Sequence, residues 1–301
     1  MAERLNFEDQ ISRNKLKSFF LIIVIFVFFL VLGFVISFVL DPGYFFIIMI
    51  FSVIFSLSYI LISYYNSHKI ALASVRARQA SKTEHRMLYH AVENMSIASG
   101  LPMPKVYVMD SPQINAFASG RNPENAVICV TTGCLEKLNK HELEGVIAHE
   151  MAHIANFDIR FMTLTAVLVG MVSIIAEIFL RSLWFSGGGK DRGGRSGAIL
   201  IIIGIVFAIL APIAAQLASL AISRKREFTA DATGVKFTRY PPGLSAALKK
   251  IKYDHVSAQD KHNYAKAMAP LFISDPFKKK IQNIFSTHPN VDERIKILEA
   301  M

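Results

Sequence analysis

Long uninterrupted apolar runs dominate the first quarter of the chain. Residues 19–40 and 44–65 are built almost wholly from Phe, Ile, Leu, Val and Tyr, and each exceeds the roughly 20 residues that a helix needs to cross a bilayer. Between them Asp41, Pro42 and Gly43 form a tight turn. The first run is too long for the apolar region of a cleaved signal peptide, and no small-residue cleavage pattern follows it, so it reads as a retained anchor. Two later runs, 161–183 and 198–222, are interrupted by Glu177 in one and by Pro212 and Gln216 in the other. They read as a second membrane pair whose polar groups face protein, water or each other, or as a hydrophobic hairpin only partly in the bilayer. The Gly-rich, charged segment 186–197 between them is a flexible exposed loop.

Elsewhere the pattern shortens to that of a small α+β domain. Asn139 and Glu142 have the spacing of a helix N-cap, and Leu143, Val146, Ile147 and Ile154 follow at helical intervals. Residues 106–109 and 126–130, rich in Val, Ile and Tyr, read as short strands, separated by the stretch around Asn115 and a turn-rich 120–125. Helices are expected over 81–99, ending at Gly100 and Pro102, and over 292–300.

Composition agrees with the long runs. The chain is 52% hydrophobic and only 19% charged, against about one quarter charged in soluble proteins. The expected organisation is a cytoplasmic segment 1–18, a first transmembrane pair 19–65, a catalytic part 66–160, a second apolar pair 161–222, and a second catalytic part 223–301. Lys and Arg flank the first pair on both outer sides and are absent from its connecting turn, which puts both soluble flanks in the cytoplasm. The expected location is multi-pass in the plasma (inner) membrane, with the active site facing the cytoplasm. The net charge of +10 is accounted for by anionic lipid, and no motif for nucleic acid is present. Cys129 and Cys134 are too few and too oddly spaced for a zinc knuckle and read as small buried apolar residues.

The chemistry concentrates in residues 149–153, His-Glu-Met-Ala-His. On a helix, four residues advance about 400°, which leaves His149 and His153 roughly 40° apart on one face and able to reach one metal ion. Glu150 lies about 100° round from His149, placed to act as general base on a water without binding the metal. Catalytic zinc takes three protein ligands and keeps one position open, so a third must come from elsewhere. Glu227 and Asp231, four apart after the fourth run, offer one carboxylate for the metal and one to orient a ligating histidine. From spacing alone a solvated ionic helix is the commoner account of such a pair. If His153 and Glu227 share an ion, the chain between them crosses the membrane an even number of times, which two apolar runs permit.

Four separated stretches, 114–120 (Ile-Asn-Ala-Phe-Ala-Ser-Gly), 142–158 around the two histidines, 226–231 (Arg-Glu-Phe-Thr-Ala-Asp) and 287–294 (Thr-His-Pro-Asn-Val-Asp-Glu-Arg), resemble the HtpX-type integral-membrane zinc metallopeptidases, relatives of the CAAX prenyl endopeptidases. The resemblance implies one zinc ion per chain held by His149, His153 and Glu227, with Glu150 as base and Asp231 as support for a ligand. It also implies that His288 assists the transition state, that Asn115 hydrogen-bonds substrate backbone, and that Arg294 pairs with Asp231. Without it, His288 is a residue leading into a helix and Asn115 a turn residue. The implied fold is a mainly α membrane protein, with transmembrane helices and a zincin-like α+β catalytic domain containing a small sheet. The implied activity is endoproteolysis of membrane or membrane-proximal proteins in protein quality control and the stress response. Two other classes compete. A catalytically silent scaffold has no chemical reason to keep Glu150, and a transporter is poorly served by one intramembrane acid, Glu177.

Overall fold

The computed structural model describes residues 7–40, 42–167, 170, 204, 224–254, 271–273 and 290–301. Of the run 161–183 only 161–167 and 170 are described, and of 198–222 only 204; Glu177, Gln216, the 186–197 loop and His288 lie outside the described residues.

The first two apolar runs form helices longer than the runs themselves. Helix α1 spans Phe7–Leu40 and α2 spans Phe45–Ser74, joined by one 3-10 turn at Pro42–Tyr44. No Pro or Gly interrupts residues 7–32, so the helix continues upstream through Arg13, Lys15 and Lys17, where hydropathy alone stops at residue 19. The segments Ile11–Phe34 and Phe45–Ser74 are long and apolar enough to cross a membrane. At about 1.5 Å per residue α2 is about 45 Å long, well beyond the roughly 30 Å of hydrocarbon. Close packing of the pair centres on Gly33, where a Cβ would lie 1.8 Å from Ser52 Oγ, and on Phe29, whose ring meets Phe55 at 5.0 Å and Tyr59 at 5.3 Å. Outward, Phe19, Phe20, Ile23, Phe46, Ile50, Phe51, Ile54 and Leu61 are all exposed. So continuous an apolar surface is costly in water and suits lipid.

The rest of the described chain is built on a four-stranded sheet that packs against helices on both faces. Strands β1 (Arg78–Gln79), β2 (Lys105–Met109), β3 (Ala116–Ser119) and β4 (Val127–Thr131) lie in the order β1-β2-β4-β3. The central pair is parallel, with Val106 opposite Ile128 and Val108 opposite Val130, and both outer strands are antiparallel to their neighbours. Strands β2 and β4 match the two strand segments expected from the sequence. Strand β3 does not, because four residues within Ala-Phe-Ala-Ser are too short to establish a period.

Period-two alternation decides what each sheet face covers. Val106, Val108, Ile128 and Val130 point into the main core, against Leu88 and Val92 of α3 (Arg86–Ser99) and against Leu143, Ile147 and Met151 of α5 (Lys140–Ala155). Met109, Phe117, Val127 and Cys129 point the other way, onto Ala71 and Leu72 near the end of α2 and Val75 just beyond it. The end of α2 and the sheet thus share a hydrophobic core. A short helix α4 (Thr132–Lys137) follows β4, while α6 (Arg224–Thr238), α7 (Pro241–Tyr253) and α8 (Val291–Glu299) complete the domain. Helix α3 starts at Arg86, after a turn over 81–85, and stops at Gly100 with φ 70°. Cys129 and Cys134 are free and buried, and burial pushes the Cys134 thiol up to about 12.

Candidate metal centre

Helix α5 is built to present its last two turns. Asn139 Oδ1 accepts from Glu142 N at 3.0 Å, and Glu142 Oε2 accepts from Asn139 N at 2.8 Å, the reciprocal cap expected from the sequence. Lys250 of α7 ties the same carboxylate at 2.7 Å. Gly145 lets α7 pass close by, and Gly234 does the same for α6 beside His149.

His149, Glu150 and His153 are almost completely buried. Their Nε2 atoms put His149 and His153 3.2 Å apart. Glu227, in the first turn of α6, brings Oε2 to 3.5 Å from His149 Nε2 and Oε1 to 3.7 Å from His153 Nε2. Tetrahedral zinc with bonds of about 2.0–2.1 Å separates its ligand atoms by about 3.4 Å, near the separation of the two imidazole nitrogens and of each from its nearer Glu227 oxygen. The far side of each imidazole is held by a carboxylate. Asp231 Oδ1 lies 2.9 Å from His149 Nδ1, and Asp158 Oδ2 lies 3.0 Å from His153 Nδ1. With Nδ1 donating to a carboxylate, each Nε2 is left as the ligating atom.

Arg294, 1% exposed, arrives from α8. Its Nε donates to Asp231 Oδ2 at 2.8 Å and its Nη2 to Oδ1 at 2.7 Å, a two-pronged pair. Its Nη1 sits 3.2 Å from Glu227 Oε2, an ion pair that lacks hydrogen-bond geometry.

Charges follow from these contacts. Burial disfavours ionised Glu227 and Asp231, but His149 and Arg294 outweigh it, holding Glu227 well below the usual carboxylate range and lowering Asp231. Burial also opposes a charged His149, yet Asp231 and Glu227 hold its imidazole up at about 9. Glu150 is shifted up by burial, against the pull of the two histidines.

Whether these groups fit a metal can be judged from the buried oxygens. Glu150 Oε2 and Glu227 Oε2 are buried without a hydrogen-bond partner, a costly arrangement that a cation beside both would relieve. Two imidazole nitrogens and one carboxylate oxygen are zinc-type donors, and these atoms all lie within 4.8 Å of one another. The donor set fits.

The structure thus brings together His149, Glu150, His153, Glu227, Asp231 and Arg294. Asn115 stands just ahead of β3, 3% exposed, its Oδ1 accepting from Ala116 N at 3.0 Å. His288 lies outside the described residues. Sequence reasoning missed Asp158. Its approach depends on Phe157, whose φ of 58° ends α5 sharply and turns the next residue back beneath His153.

The model of Peptidase family M48 matches residues 82–301. The chain belongs to that family. Among its relatives, a protein named Protease HtpX homolog from Caldanaerobacter subterraneus subsp. tengcongensis is 46% identical over 257 residues, 84% of each chain. Another of the same name, from Dictyoglomus thermophilum, is 40% identical over 98% of this chain and 95% of its own length. A crystal structure of S. mikatae Ste24p aligns with 95% of this chain and 65% of its own at 20% identity and a TM-score of 0.48. The M48 member described here is a membrane protease that acts on protein or peptide substrates, and a catalytically silent scaffold finds no support.

Proposed function

We propose that this M48 peptidase is a zinc endopeptidase that cleaves membrane or membrane-proximal proteins at the cytoplasmic face, in protein quality control. The convergence of His149, His153 and Glu227 carries this reading, since chain segments separated by two long apolar runs meet at ligand spacing. His149, His153 and Glu227 would hold the ion, oriented by Asp231 and Asp158. Bound zinc supplies Lewis acidity for water and for the scissile carbonyl.

Glu150 performs the proton work. Its carboxylate takes a proton from the attacking water and returns it to the departing amine, for which a carboxyl raised by burial is better matched than an ordinary one. Ala118 N–H of β3 donates to Glu150, so the base sits beside the sheet edge. An extended substrate would lie beyond these contacts, from the Ala118 carbonyl to Gly120, because the outer groups of Ala116 are taken by Asn115 Oδ1 and Ile273 N and the Ala118 N–H by Glu150. Asn115 and His288 retain the roles implied by the resemblance, substrate binding and transition-state support. The multi-pass topology and cytoplasmic orientation rest on the Lys and Arg flanking α1 and α2.

The test compares the native chain with Glu150→Gln and Glu227→Ala in detergent, measuring zinc content and casein cleavage. Glu150→Gln is expected to keep about one zinc per chain while kcat/KM falls by about 10²–10⁴-fold, and Glu227→Ala to lose zinc. Cleavage undiminished in Glu150→Gln removes the assignment.

A further inference from the structure

Asn14 is out of keeping with its surroundings. It lies in the charged stretch of α1 upstream of the apolar run, where Arg13, Lys15, Leu16 and Lys17 are all exposed, yet only 8% of its own surface is accessible. It heads a buried stripe that continues through Ser18, Leu21, Ile25 and Phe28 at helical spacing. Its Nδ2 donates to two acceptors more than 140 residues away, Asn156 O at 3.0 Å and Asp158 Oδ1 at 2.7 Å.

Asp158 is the carboxylate behind His153. Its Oδ1 takes the Asn14 amide and also faces Arg226 Nε of α6 at 3.0 Å, while its Oδ2 faces His153 Nδ1 at 3.0 Å. Donors on one oxygen fix the rotation of the carboxylate and leave the other aimed at the imidazole. Asn14 also grips the chain on both sides of Phe157, the residue held at φ 58°. That backbone conformation costs free energy for a bulky residue and persists only where its surroundings enforce it.

We propose that Asn14 is a positioning residue of the metal centre. It acts through Asp158 to orient His153, so that α1 contributes to the ligand framework as well as to anchoring. Asn14 lies upstream of the family match, which begins at residue 82. The inference rests on the zinc reading given above.

The experiment measures zinc affinity of the full chain in detergent micelles, by competition with a chromogenic chelator, alongside kcat and KM. Outer partners of metal-bound histidines are worth about 10–100-fold in affinity or activity, and Asn14→Ala is expected to weaken zinc about tenfold, lowering kcat more than KM. Leu16→Ala, on the exposed side of the same turn, should match the native chain. In an Asp158→Ala background, Asn14→Ala should cause no further loss of zinc affinity, whereas a merely structural role would add its full effect. Should Asn14→Ala fail to accumulate, the near-isosteric Asn14→Asp carries the same comparison, since it replaces the donor with an acceptor facing Asp158. Affinities within twofold of native, or a full additional loss in the Asp158→Ala background, overturn the proposal. A native chain that binds no zinc overturns the metallopeptidase reading instead, so the two failures are distinct.

Discussion

Arg294 shows how much one side chain can carry. It is almost wholly buried, pairs with Asp231 through two nitrogens and approaches Glu227 with a third. Removing it strands two buried carboxylates, and losing one partner of such a pair costs about 3–5 kcal/mol. Arg294→Ala is therefore expected to lower the melting temperature of the detergent-solubilised protein sharply. Arg294→Lys should recover little of the loss, because a point charge cannot reproduce the fork. A melting curve for Arg294→Ala that overlays the native one would show that this pairing is energetically idle. Legibility in the sequence differs between residues for physical reasons. His149, Glu150 and His153 are readable because their geometry is set by one helix. Glu227 is half readable, since spacing places it with Asp231 but cannot say that the two face α5. Asp158 and Asn14 are opaque, because their meaning arises from a backbone reversal and from a partner 144 residues away.

Among the elements, those whose forces are local were legible. Helix α5 begins where its cap requires, and β2 and β4 fall on the short Val- and Ile-rich segments bounded by turn residues. The start of α1 was hidden because charge ends a hydropathy window without ending a helix, and β3 because a four-residue edge strand owes its existence to pairing with β4. The crossing of α5 and α7 yields a sharp test. A Cβ on Gly145 would stand 2.5 Å from Leu244 N and 2.8 Å from its Cα, both backbone atoms that cannot rotate away. Gly145→Ala should therefore force the helices apart at a cost of about 1–3 kcal/mol. Four residues on, His149 would shift with them, so weaker zinc binding should accompany the lower melting temperature. Gain of stability, as expected for Ala in a free helix, would show the crossing to be loose.

At the level of the whole molecule, α2 is the connection between bilayer and chemistry. The core that it shares with the sheet, through Ala71, Leu72, Met109 and Phe117, ties α2 directly to the catalytic domain among the described residues. On the membrane reading proposed above, about 20 of its 30 residues span the hydrocarbon, and roughly ten remain as a stem about 15 Å long whose far end, at Ala71 and Leu72, packs on the sheet. A stiff stem of set height works as a ruler. A client tethered in the same bilayer, reaching that level in extended form at about 3.4 Å per residue, spends at least four or five residues on the climb. Mapping cut sites in single-span clients whose juxtamembrane stems are shortened one residue at a time should show cleavage stopping abruptly below that length. Cuts at the membrane boundary itself would mean that the stem tilts or the client is pulled out.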